Sequence, residues 1–194
     1  MIFVLVLSDG FYTFGVLFGL YRIRIVNSCC MKIVFIVVGK TVDSHLQALA
    51  ADYAKRIGFY VPFEVQLVPD LKNTKHMSEA EQKEREGELI LKQLQVSDYL
   101  VLLDERGREF RSVDFAQYIQ ERMLTSCKRL CFLIGGPYGF SDAVYQRSNA
   151  KVSLSKMTFS HQMVRVIFLE QLYRAMTILR GEPYHHEDSL FSMK

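Results

Sequence analysis

The stretch Arg129–Arg180, RLCFLIGGPYGFSDAVYQRSNAKVSLSKMTFSHQMVRVIFLEQLYRAMTILR, decides how this chain folds. Leu130-Cys131-Phe132-Leu133-Ile134 is an apolar run without alternation, set between Lys128-Arg129 and Gly135-Gly136-Pro137. Such a run marks a strand covered on both faces, as in a parallel sheet between helices. The turn Gly135–Gly139 follows, and Ser141 stands where it would cap a short helix over 142–147. Val152–Phe159 begins as an alternating, β-like run. His161–Arg180 then places Val164, Ile167, Phe168, Leu172, Ala175, Met176 and Leu179 at helical spacing. Ser160 is the expected N-cap of that long helix and Gly181 the residue that ends it.

Working upstream, strands alternate with helices. Lys32–Val38 reads as a buried parallel strand. Asp43 or Ser44 should cap a helix to Ile57 with Leu46, Leu49, Ala50, Tyr53 and Ile57 on one face, closed by Gly58. Phe63–Val68 reads as a second strand. Ser78 and Glu81 form a capping box for a helix expected to reach Gln95, its first half solvated. Tyr99–Asp104 reads as a third strand, followed by a charged turn at Glu105–Glu109, and Ser112 should cap a helix to Thr125. The order predicts an α/β fold with a parallel sheet flanked by helices.

Composition describes an ordinary globular chain: 194 residues, 49% hydrophobic, 23% charged, net charge +3. The charge is uneven. Between 147 and 181 lie Arg147, Lys151, Lys156, Arg165, Arg174 and Arg180 against Glu170, a basic region that suits either RNA phosphates or plain solvation. The four cysteines, Cys29, Cys30, Cys127 and Cys131, show no metal spacing and read as reduced thiols of a cytoplasmic protein. No metal is expected. Residues 1–30 are apolar but interrupted at Ser8-Asp9-Gly10, with no positive charge ahead of the run. They read as the product of a start assigned too early, with a membrane anchor or an extra arm as the other readings. The domain expected from this is 31–187, with a frayed tail over 188–194.

GGPYG alone is a weak signal. It lacks the Gly-Lys-Ser/Thr of a phosphate loop and the spacing of GxGxxG, so by itself it reads equally as a tight turn or a ligand loop. The longer pattern is specific. Val37-Val38-Gly39-Lys40, Leu133–Phe140 (LIGGPYGF), Gln146–Asn149 (QRSN) and Ser153–His185 (SLSKMTFSHQMVRVIFLEQLYRAMTILRGEPYH) closely resemble the ribosomal RNA large subunit methyltransferase H family. Those are 23S rRNA pseudouridine-1915 N3-methyltransferases of the SPOUT superfamily. The resemblance covers Met31 to about Glu187 and departs from the family pattern at Gln162, after the histidine.

The resemblance implies a C-terminal trefoil knot, a homodimer, S-adenosylmethionine as cofactor, and 23S rRNA in the ribosome as partner, with no membrane. It implies a donor pocket made by Leu103, by Gly135 and Gly136, and by Leu154, Ser155, Lys156, Met157, Thr158 and Phe159. Three catalytic candidates follow. His161 comes directly after the donor loop, and imidazole is the side-chain base of neutral pH. Tyr184 and His185 lie in the tail that the resemblance directs toward the partner's site. Arg106, Arg108 and Arg165 are the RNA-binding candidates. The competing readings are a SPOUT methyltransferase for another RNA such as tRNA, and a non-catalytic nucleotide- or RNA-binding module.

Overall fold

A computed structural model describes residues 31–184 of the chain. The expectations for residues 1–30, for His185 and for the tail beyond it lie outside the described residues. Five strands, β1 (Lys32–Val38), β2 (Phe63–Val68), β3 (Tyr99–Glu109), β4 (Arg129–Ile134) and β5 (Ala150–Ser153), form one sheet in the order β2-β1-β4-β3-β5. Every pairing is parallel. Four α-helices connect them, α1 (Ser44–Ile57), α2 (Glu79–Leu91), α3 (Ser112–Met123) and α4 (Asp142–Arg147), and α5 (Met163–Arg180) follows β5.

Because side chains alternate along a strand, the two central strands feed two separate cores. Ile33, Phe35 and Val37 of β1 with Leu130, Phe132 and Ile134 of β4 face α1, α3 and α5. Val34, Ile36 and Val38 with Cys131 and Leu133 face Ile90 of α2 and Val144 of α4. Phe168 of α5 is fully buried, with ring centroids 4.7 Å from Phe35 and 4.9 Å from Phe132. Burying one such ring contributes roughly 1.5–3 kcal/mol.

Several local expectations change. The segment expected as a charged turn is part of β3, which runs on to Glu109. Val152 of β5 pairs with Leu103 and again with Arg108, so the residues between them form an irregular excursion from the ladder. The helix expected from His161 starts at Met163; His161 and Gln162 form a turn. Ser160 still serves that end, its Oγ accepting from Met163 N at 3.2 Å and its carbonyl from Val164 N at 3.0 Å. Helix α3 is not capped by Ser112, which is its first residue: Phe115 N bonds Arg111 O at 2.9 Å, so the helix begins one residue earlier than a serine cap would allow. Helix α2 stops at Leu91 rather than Gln95, because Gln93 N and Leu94 N bond back three residues, to Ile90 O and Leu91 O. Its first half is not wholly solvated: Glu86 and Gly87 are buried. On α1, Leu49 faces outward, 44% exposed. The β-like run from Val152 ends at Ser153, and 154–160 is loop.

Asp43, Ser78 and Ser141 cap their helices as expected, each side chain accepting backbone N–H bonds from the first turn. Gly181 ends α5 at φ 67°, the left-handed conformation expected there.

Candidate active site

The irregular part of β3 and the carboxyl ends of β4 and β5 converge on a cavity of about 700 Å³. Open parallel sheets place ligands at this end of their strands, and the volume lies within the range of small-molecule sites. One wall is the part of β3 where its ladder with β5 is interrupted: Leu103, Asp104, Glu105 and Arg106. A second is the loop leaving β4, residues 134–140, where Gly139 N bonds Gly136 O at 3.2 Å and Gly139 takes φ 81°. The third is the loop after β5, Leu154-Ser155 and Met157–His161.

The sequence-derived donor residues Leu103, Gly135, Gly136, Leu154, Ser155, Met157, Thr158 and Phe159 all line this cavity. Lys156 does not; its Nζ reaches Glu105 O at 3.5 Å and so ties the third loop to the first. Ser155 Oγ accepts from Met157 N at 2.9 Å and its carbonyl accepts from Ser153 Oγ at 3.0 Å, which stiffens the loop around that tie. His161 lies exposed at the rim.

Several lining residues carry no mark in the sequence. Asp104 accepts from Arg106 N at 2.7 Å through Oδ1 and from the Tyr145 hydroxyl through Oδ2. Tyr145 is pushed up to about 12, by burial first and then by that bond to Asp104, so it remains the donor at neutral pH. Asp104 and Glu105 of β3 and Asp142 of α4 add acidic groups to the lining, which also includes Lys83 of α2. Asp104 could have been suspected from its place directly after Leu103; Tyr145 and Lys83 depend on packing no local pattern encodes.

The arginine candidates separate. Arg106 lines the cavity. Arg108 lies over the Phe110 ring, 4.5 Å from its centroid, outside the lining. Arg165 is at odds with an RNA-binding role: it is 3% exposed, with Nη2 donating to Val38 O at 2.5 Å and Nη1 to Thr41 Oγ1 at 3.0 Å. Its guanidinium is already committed to the carboxyl end of β1. Burial lowers its pKa, an effect that nearby Asp70 partly offsets.

Tyr184 lies elsewhere. Its hydroxyl donates to Glu170 Oε1 at 3.2 Å, its ring packs 4.9 Å from that of Tyr173, and the Arg174 guanidinium sits 4.9 Å over it. Arg174 also bonds Glu170 at 2.5 Å. Burial leads the causes that raise the Tyr184 hydroxyl well above its ordinary range, followed by hydrogen bonding to Tyr53. None of these five residues lines the cavity of the same chain. Gln162, where the family pattern departs, accepts from Val42 N at 2.9 Å and Asp43 N at 3.1 Å, joining the start of α5 to the cap of α1.

The cavity offers a small ligand both apolar and polar surface. Leu103, Ile134, Leu154 and Phe159 offer apolar surface, the glycine loop lets backbone approach closely, and the acidic groups complement a cation. Among the described residues, no cluster of three or more His, Cys, Asp or Glu is placed to hold a metal ion, and no helix is long and apolar enough to cross a membrane.

A family profile described as "Predicted SPOUT methyltransferase" matches residues 31–185. The chain is 60% identical over 157 residues to the Ribosomal RNA large subunit methyltransferase H of Parabacteroides distasonis, covering 81% of this chain and 100% of that protein. It is 58% identical to the protein of the same name from Bacteroides thetaiotaomicron and 55% identical to that from Flavobacterium johnsoniae, with the same coverage.

Proposed function

Given that the chain belongs to the SPOUT methyltransferase family, among the ribosomal RNA large subunit methyltransferases H, we propose that it transfers a methyl group from S-adenosylmethionine to N3 of a pseudouridine in 23S rRNA, of the position-1915 type. The observation that carries the reading is the convergence of the irregular part of β3 and the loops after β4 and β5 on one cavity lined by eight of the nine residues named for the donor.

The donor supplies an activated methyl on a sulfonium. The protein's tasks are to hold it, to align an acceptor nitrogen in line with the S–CH₃ bond, and to receive the N3 proton. Leu103, Leu154 and Phe159 would clasp the adenine. The glycine loop would present backbone to it, and Asp104, fixed by Tyr145 and by Arg106 N, would face the positive end. His161 at the rim is one acceptor for the proton.

Tyr184 requires a second chain. It is not on its own chain's cavity, yet it sits in a prepared group with Glu170 and Arg174. We read this group, with His185 beyond it, as the part a homodimer delivers to the partner's cavity, where the target base would be held. Arg106 then lies at the mouth where RNA enters. The same reading takes the segment from β4 onward as the family's knotted region and the protein as cytoplasmic.

The test supplies labelled S-adenosylmethionine to the protein with large ribosomal subunits lacking the modification, and separately with tRNA. Label in the large-subunit RNA at one pseudouridine is the expected result. Label in tRNA alone would favour a different RNA substrate. Donor binding without transfer to either would favour a binding module.

A further inference from the structure

The glycine loop of the cavity is held from behind by two consecutive residues of α2 that the transfer chemistry does not use. Glu86 is 8% exposed, and the described ion pairs leave it without a cation. A β-carbon built on Gly136 would lie 2.9 Å from Glu86 Cδ and closer still to Oε2. The carboxyl thus rests directly on the loop backbone. One residue on, a β-carbon on Gly87 would lie 3.0 Å from Ser141 Cβ and closer to its Oγ, so the backbone of α2 rests on the residue that caps α4. Glu86 and Gly87 therefore touch the two ends of the segment 136–141. That segment is one wall of the cavity.

A buried carboxyl without a cation is costly. Burial raises the Glu86 pKa, and the neighbouring Asp70 raises it further. An apolar side chain at this helix position would cost less. What glutamate and glycine together provide is fit: a long side chain that fills the space beneath Gly136, beside a residue with no side chain at all.

We infer that Glu86 and Gly87 are positioning residues for the donor loop, Glu86 as a wedge that sets the height of Gly136 and Gly87 as the seat for Ser141. The inference rests on reading the cavity as the donor site. Because a wedge acts through shape, glutamine replaces glutamate and alanine does not. The fit is reciprocal, so a methyl on Gly136 collides with Glu86 and is relieved when Glu86 is shortened.

The experiment uses the full chain and five proteins: wild type, Glu86→Gln, Glu86→Ala, Gly136→Ala and the double variant Gly136→Ala/Glu86→Ala. S-adenosylmethionine affinity is measured by calorimetry, and hydrogen exchange of the 135–141 amides is measured without donor. Glu86→Gln should bind within a factor of about three of wild type and Glu86→Ala on the order of tenfold more weakly. Exchange across the loop should be faster in Glu86→Ala than in wild type and unchanged in Glu86→Gln. The double variant should bind more tightly than Gly136→Ala alone. If Glu86→Ala does not fold, Glu86→Asp takes its place with a smaller loss. Equal affinity and exchange in Glu86→Ala and wild type would overturn the inference, as would glutamine failing alongside alanine. Failure of the wild type to bind S-adenosylmethionine would instead remove the donor reading, and the exchange data would still decide the wedge.

Discussion

The two faces of the sheet are built to different rules. The face under α1, α3 and α5 is a continuous apolar core in which Phe35, Phe132 and Phe168 meet ring to ring. The face under α2 and α4 is thinner and admits polar groups: Glu86 and Ser141 are buried there beside Ile90, Phe140 and Val144. The first face packs large side chains around the buried Ala116 and Ala175; the second depends on residues with no side chain, at Gly87 and Gly136. Stability is concentrated on one side of the sheet and the cavity's β4 loop is braced from the other. A substitution should therefore report which face it has touched by whether it changes unfolding or ligand affinity.

The largest effect is expected at the centre of the apolar face. Phe168→Ala should lower unfolding free energy by about 3–5 kcal/mol, measured by denaturant titration. Donor affinity of the fraction that remains folded should hardly change. An equal loss of affinity in that fraction would mean the faces are not separable.

Next comes the β3 excursion. A β-carbon on Gly107 would lie 2.5 Å from Val152 C and 2.6 Å from Val152 N, and backbone cannot turn aside as a side chain can. Gly107→Ala should pull β3 from β5 and weaken S-adenosylmethionine binding by roughly ten- to a hundredfold in calorimetry.

Tyr145→Phe removes the hydroxyl that fixes Asp104. The expected cost is about 1–2 kcal/mol of donor binding with little change in melting temperature. A fall in melting temperature without loss of affinity would make the bond purely structural.

The smallest effect concerns pH. The folded Glu86 pKa is raised, so the folded state holds this proton more tightly than the unfolded chain does. Its contribution is fully present below the ordinary carboxyl range and is lost as pH rises through the raised value. The charged group that acts on Glu86 is Asp70, after β2, which also acts on Arg165 of α5. Glu86→Gln should melt slightly higher than wild type at neutral pH, with the difference vanishing in acid. A variant that melts lower at neutral pH would show that the carboxylate is stabilised by something other than shape.

Much of this architecture can be read from the chain. The bounds of β1 and β2 and the caps at Asp43, Ser78 and Ser141 follow from apolar runs and from side chains suited to free N–H groups. Most of the cavity could be named because its loops carry a long family pattern. What stayed hidden was set by contacts distant in sequence. Charged residues after Asp104 look like a turn, but pairing of Arg108 with Val152 keeps them in β3. Arg165 looks like a surface cation on a helix, yet Val38 O and Thr41 draw it inward. Glu86 looks solvated among Glu84, Arg85 and Glu88, and only the approach of Gly136 shows that it is covered.

The measurement that bears most directly on the account is a crystal structure of the protein with S-adenosylhomocysteine. The account predicts the adenine among Leu103, Gly135, Leu154 and Phe159, with the sulfur on the side of Asp104. A ligand bound away from Leu103–Arg106 of β3 and the loops after β4 and β5 would contradict it.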